Sequence, residues 1–224
     1  MVKGISLFDV DGPLRAGGIA LWPDFLNKQG LFSNSSVERV NQDLTDFKKG
    51  KIDYHKFAIE IINHMAQGLK GHDPEKIKAA SIKFATDPKM MQLHPYAVEL
   101  IDRMNKRGIT IAITGQPQEL AEAFMHVLPF HMSIGTEFEV INGKYTGKVK
   151  RNMAIDKGFV LKELKKHPNY WRGHKYGFGD RITDQDMLKG TTKPIALNPD
   201  QHMETYSRKK GWIVAHGKTN PKPN

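Results

Sequence analysis

The chain has 224 residues, 39% hydrophobic and 26% charged, enough to bury a core in the manner of an ordinary globular protein. It has no cysteine, which excludes disulfides and thiolate metal sites, and no apolar run suited to a signal peptide or a membrane span, so a cytoplasmic location is expected. Its net charge of +10 is uneven, with 19 Lys and Arg against 17 Asp and Glu in residues 1–150 but 15 against 7 in residues 151–224.

Taken in chain order, GISLFDV predicts a short buried strand that stops at a turn, Gly12-Pro13. Gly17-Gly18 then loosens the chain. From about residue 33 to 89 the periodicity is helical, without a strand. The run Ser33-Asn34-Ser35-Ser36 offers N-caps for one helix, and Asp53 precedes a second with Phe57, Ile61, Ile62 and Met65 on one side. Asp73 and Pro74 supply the cap and first position of a third, which continues from Lys76 to Phe84.

Beyond residue 90 helix and strand alternate. Pro95 to Arg107 reads as a helix closed by Gly108, ITIAIT as a buried strand, Pro117 to Leu128 as a helix and 155–166 as another. KYGFG and KPIAL are short strands, and FEVINGKYTGKV is two strand runs around Asn142-Gly143, a strong hairpin signal. Such alternation predicts an α/β fold with a parallel sheet covered on both faces. The expected layout is a core of residues 1–15 and 90–216, a helical cap of residues 16–89 inserted after the first strand, and a disordered tail, 217–224, too poor in apolar residues to stay ordered.

In an open α/β sheet, ligands bind beyond the carboxyl ends of the strands, and four stretches rich in reactive groups are expected there. Asp9 and Asp11 follow the first strand. Thr114 ends ITIAIT and leads into Gly115-Gln116-Pro117, a helix start whose N–H groups favour a phosphate. Lys157 opens the helix after the hairpin, and Asp180 ends KYGFG with Asp184 close behind. Singly, each has a plain structural explanation: DVDG as a turn, Thr114 as a strand end, Lys157 as a surface lysine, Asp180 with Asp184 as a helix cap. Asp186 is read as a first-turn helix acid and nothing more. The histidines lack HExxH spacing.

Together these stretches, in this order, resemble the haloacid dehalogenase superfamily of phosphohydrolases. DVDGP matches its first motif, Thr114 its second, Lys157 in IDKGFVLKEL its third, and Gly179-Asp180 to Asp184 its fourth. The hairpin EFEVINGKYTGKV, the segment IALNPD and the position of the helical insertion are similar to the phosphoserine-phosphatase-like branch, class IB. Pro13 stands where the family carries Thr or Val.

The resemblance implies a Rossmann-like core, a Mg²⁺ cofactor and a phosphatase acting through an aspartyl-phosphate. It implies Asp9 as the nucleophile and Asp11 as general acid and base. Thr114, Gly115 and Lys157 would bind the phosphoryl oxygens, while Asp9, the Asp11 carbonyl and Asp180 would bind the metal, with Asp184 behind them. Two alternatives remain open: a non-catalytic protein of the same fold that binds a phosphate or other anion, and a phosphotransferase.

Relatives specific for phosphoserine use a Glu soon after the first motif and an Arg on the cap. Here no Glu precedes Glu38 and no Arg lies between Arg39 and Arg103, while the cap carries Trp22, Phe25, Phe32 and Tyr54. A small phosphorylated metabolite of unassigned identity is the expected partner, with phosphoserine disfavoured by these absences, and nucleic acid and membrane are not expected despite the basic C-terminal third.

Overall fold

The structure, a computed structural model, describes residues 4–16, 18–167 and 173–217. At its centre is β1 (Gly4–Phe8), whose last four residues are buried. A strand buried on both faces needs no polar alternation, which is why ISLF reads as a continuous apolar run. It pairs in parallel with β2 (Gly108–Pro117) on one side and β5 (Lys175–Gly179) on the other. Adding β3 (Met132–Ile141), β4 (Lys144–Arg151), β6 (Lys193–Leu197) and β7 (Ile213–Ala215) gives a sheet of order β4-β3-β2-β1-β5-β6-β7. Only β4 runs antiparallel, joined to β3 by Asn142 (φ 52°) and Gly143 (φ 71°), the two left-handed residues that a tight hairpin turn requires.

The two faces of β1 belong to different cores. Phe8 stacks on Phe178 of β5 with ring centroids 4.2 Å apart and joins Ile101, Leu120 and Phe124. These last come from α6 (Ala97–Asn105) and α7 (Gln118–Phe124). Ile5 and Leu7 point the other way, onto Val160, Leu161, Met187, Leu188 and Met203. Those belong to α8 (Gly158–Lys165), α9 (Gln185–Lys189) and α10 (Gln201–Lys209). The α/β class with helices on both faces is therefore the observed one.

Between β1 and β2 lie α1 (Leu21–Asn27), α2 (Asn34–Lys48), α3 (Tyr54–Leu69), α4 (Pro74–Thr86) and α5 (Pro88–Met91). Ser33, Asp53 and Asp73 cap α2, α3 and α4, accepting from the N–H of Ser36, Lys56 and Glu75. The apolar face of α3 is buried as its spacing requires. α4 packs on α7, and α3 on β4.

Several boundaries differ from expectation. The sequence does not mark α1: it has no side-chain cap and carries Pro23 in its first turn, so little local chemistry announces it. α6 ends at Asn105, and Gly108 opens β2 instead of closing the helix; a Cβ there would overlap the Gly4 carbonyl. β2 continues past Thr114 to Pro117 by pairing with Thr136 across a register shift, so α7 starts at Gln118 and stops at Phe124. α8 is shorter at both ends than 155–166. Of the expected tail only Gly217 is among the described residues, and Gly17 also lies outside them.

Candidate active site

The carboxyl ends of the three central strands deliver the reactive groups. The N–H of Asp9 donates to the Phe178 carbonyl, extending the β1–β5 ladder by one residue, so Asp9 leaves the sheet beside the end of β5 and Asp180. Carried one step further, the β1–β2 register sets Thr114 just beyond the level of Asp9 on the neighbouring strand.

Lys157, at the mouth of α8, lies between two of these carboxylates. Its Nζ is 2.7 Å from Asp9 Oδ1 and 2.6 Å from Asp184 Oδ1, and all three side chains are buried. An ammonium has three donors, so one is left for a ligand. Asp184 Oδ2 accepts the backbone N–H of Asp180 and of Arg181, at 3.0 and 3.1 Å. Asp184 thus holds the turn after β5 and fixes Lys157 at once.

Ligand oxygens of Asp9, Asp180 and Asp184 all lie within 4.8 Å of one another. Burial is the main force pushing the Asp9 carboxyl up to about 7; Lys157 opposes it, while Asp184 and Asp11 add to it. Asp180 is driven well above the usual carboxylate range, first by burial and then by Asp9 and Asp184. Lys157 is held charged, because the neighbouring carboxylates outweigh its own burial. Lys157 on Asp9 and Asp184, with the Arg181 guanidinium 3.7 Å from Asp180 Oδ2, sets two cations against three carboxylates and still leaves an excess of negative charge. Asp180 Oδ1 is buried without a hydrogen-bond partner. Both Asp184 oxygens are committed, so Asp9 and Asp180 are the ones with capacity to spare. An all-oxygen donor set with surplus negative charge fits a hard divalent cation of the Mg²⁺ type.

The loop after β1 is pressed against Asp180. Gly12 has φ +103°, and a Cβ on it would come within 2.1 Å of Asp180 Oδ2. Pro13 fits here because the loop's backbone bonds come from its neighbours: Gly12 donates to the Arg15 carbonyl, and Leu14 and Arg15 to that of Val10. The Pro13 carbonyl accepts from Tyr96 Oη and the Gly12 carbonyl faces His94 Nε2. Asn198, left-handed at φ 51°, donates to Tyr96 Oη, and the Asp200 N–H donates to the Asp180 carbonyl. IALNPD therefore buttresses both loops.

Asp11 is partly exposed and held at both oxygens: Arg15 Nη1 lies 2.5 Å from Oδ1, and Gln116 Nε2 donates to Oδ2 at 2.9 Å. Thr114 is fully buried, and its Oγ1 accepts the Gln116 N–H at 3.2 Å, which leaves the hydroxyl hydrogen available. Gly115 sits against Ala154, where a Cβ would approach the alanine methyl to 2.9 Å, and its carbonyl accepts from Thr136. At the rim, Arg181 lies 5.5 Å over the ring of Tyr54, which meets Phe47 edge to face and Phe57 at a tilt, while those two stack on each other. Of the other cap aromatics, Trp22 and Phe32 are core, and Phe25 packs on Phe84.

Asp9, Asp180, Asp184 and Lys157 are thus in contact or within a few ångströms, and Asp11 and Thr114 are linked to each other through Gln116. Arg15, Gln116 and Arg181 carry no signal in the sequence that singles them out. Arg15 follows Asp11 by four positions in a turn, where that spacing has no helical meaning.

A family model described as haloacid dehalogenase-like hydrolase matches residues 7–189. A histidinol-phosphatase from Neisseria meningitidis serogroup C is 24% identical over 231 aligned residues, which cover 97% of this chain and 100% of that protein. Among solved structures, a protein of unknown function from Bordetella pertussis Tohama I is similar at a TM-score of 0.76 and 22% identity, over 96% of this chain and 98% of its own. A phosphoserine phosphatase solved as a phospho-aspartyl intermediate analogue gives 0.64 and 19%, over 98% and 96%. At these identities the two structures bear on the fold.

Proposed function

The chain belongs to the haloacid dehalogenase-like hydrolases, and from that membership we propose that it is a phosphatase of small phosphate monoesters that works in two steps, carrying the phosphoryl group on Asp9 between them. The observation that carries this reading is the setting of Asp9, buried at the end of the central strand with one oxygen on Lys157 and the other free to act.

In the first step an Asp9 oxygen bonds to phosphorus as the bond from phosphorus to the ester oxygen breaks, and a proton on Asp11 Oδ2 passes to the departing oxygen. In the second, Asp11 takes a proton from water as the water oxygen bonds to phosphorus and the Asp9–phosphorus bond breaks, releasing phosphate. Thr114 Oγ1, the third donor of Lys157 and the Gly115 backbone hold the non-bridging oxygens, where negative charge resides during transfer. Asp184 keeps Lys157 aimed. Asp9, Asp180 and the Asp11 carbonyl would hold Mg²⁺, which when bound would offset the repulsion between carboxylate and phosphate. In this reading residues 16–89 cap a core of 1–15 and 90–216, with Tyr54 reaching from the cap toward Arg181. The missing Glu and Arg argue against phosphoserine as the substrate.

The test is phosphate release from p-nitrophenyl phosphate, with and without Mg²⁺, by the wild type and by Asp9→Asn, which keeps the shape but removes the nucleophilic charge. Metal-dependent release that the substitution abolishes is expected. Activity retained in Asp9→Asn, or a wild type that hydrolyses no member of a broad panel of phosphate monoesters, overturns the reading.

A further inference from the structure

Arg15 is fully buried, and every side of its guanidinium is engaged. Nε donates to the Met91 carbonyl at 2.9 Å and Nη2 to the Met90 carbonyl at 3.0 Å, both at the end of α5, while Nη1 lies on Asp11 Oδ1. The rings of Phe84 and Phe124 approach its Cζ at 5.9 and 5.5 Å. A buried arginine is weak evidence for stability, because an apolar residue of similar volume often serves a core as well or better. What this arginine does that an apolar residue cannot is grip one oxygen of Asp11. The fork is rigid and anchored at two carbonyls, so it has little freedom to follow the carboxylate elsewhere.

We propose that Arg15 is a positioning residue for Asp11, fixing Oδ1 so that Oδ2 is the oxygen presented to the leaving group and then to water. The inference rests on reading Asp11 as the acid and base of a phosphatase. Gln116 completes the arrangement: its amide touches Oδ2 from β2 and can turn over, and its own Oε1 is buried without a partner. The carboxyl plane is thereby set from two directions, by α5, which straddles the boundary of cap and core, through Arg15 and by the sheet through Gln116. A lysine cannot reproduce this, since a compact ammonium does not span three acceptors with the geometry of a planar fork.

Positioning of a general acid shows most where the leaving group needs a proton. A nitrophenolate departs without one; a phenolate gains much more from it. The experiment measures kcat/KM for p-nitrophenyl phosphate and phenyl phosphate with wild type, Arg15→Lys, Arg15→Met and Asp11→Asn. Binding of beryllofluoride at Asp9 verifies that the phosphoryl site is intact in each variant.

The expected result for both Arg15 variants is a fall with phenyl phosphate about 10-fold larger than with p-nitrophenyl phosphate, a part of the 10²–10⁴-fold that general acid–base catalysis supplies, with beryllofluoride binding kept. Adding Arg15→Lys to Asp11→Asn should change the ratio between the two esters no further. Equal losses on both esters, loss of beryllofluoride binding in parallel with activity, or no change in Arg15→Lys overturns the proposal. Failure of the phosphatase reading itself appears separately, as an inactive wild type or an active Asp9→Asn.

Discussion

Replacing Lys157 with methionine removes the single ammonium that touches both Asp9 and Asp184. The side chains keep similar length, so the change is mainly one of charge. Deleting one partner of a buried ion pair costs about 3–5 kcal/mol. The two contacts share one cation, so their losses do not add, and the net expectation is about 4 kcal/mol in the absence of divalent metal. That is a large share of the roughly 5–15 kcal/mol by which folded proteins exceed their unfolded state. With a urea slope of about 2.5 kcal/mol/M, the midpoint should fall by about 1.6 M. Equilibrium urea unfolding in EDTA, followed by circular dichroism, measures this directly. Repeating it with Mg²⁺ tests the cause, because a cation bound to the folded state at a hundred times its dissociation constant returns about 2.7 kcal/mol. A variant whose midpoint in EDTA stays within about 0.3 M of wild type refutes the argument that Lys157 offsets the buried carboxylates.

The metal-free protein should lose stability as pH rises from about 4 to about 7. The Asp9 carboxyl is raised in the folded state from the usual 3.8 to about 7, so its contribution is complete below the unfolded value and is lost as pH climbs through the folded one. Urea midpoints in EDTA at pH 5 and pH 8 should show the drop, and Asp9→Asn should reduce it; an equal drop in that variant contradicts the assignment. Gly12→Ala combines a left-handed backbone, φ +103°, with a Cβ placed 2.1 Å from Asp180 Oδ2. It should cost about 1–3 kcal/mol from the strained backbone and, by shifting Asp180, lower kcat/KM by about 10²-fold, measured by urea unfolding and by phosphate release. In the helical segment, Trp22 Nε1 donates to Ser81 Oγ at 3.0 Å, with both residues fully buried. Ser81→Ala orphans the indole N–H at about 1–3 kcal/mol, so the melting temperature should fall by about 4 °C in a chain of this size, with activity at 25 °C unaltered.

Local chemistry determined a good deal here, for reasons confined to a few neighbouring residues. A strand buried on both sides needs only an apolar run, so ISLF is legible as a strand, while KYGFG and KPIAL, buried toward their carboxyl ends, are legible as short strands from the helix–strand alternation. A capped helix needs one acceptor at its start, which Ser33, Asp53 and Asp73 supply, and a two-residue hairpin needs left-handed φ values, which Asn142 and Gly143 tolerate. The order of reactive stretches along the chain pointed to phosphoryl transfer through its resemblance to the haloacid dehalogenase superfamily, not through local chemistry. What the sequence could not contain is anything decided across distance. α1 has no cap to announce it. β2 runs on to Pro117 because Thr136 on another strand offers a partner. That Lys157 is shared by Asp9 and Asp184, and that Gly12 must be bare to admit Asp180, are consequences of three strands ending side by side. Arg15 is the plainest case: its partners lie 75 and 76 residues away in α5 as well as at Asp11. Only the packed tertiary structure, by removing water from that guanidinium, turns an unremarked side chain of a loop into a fixed support for a carboxylate.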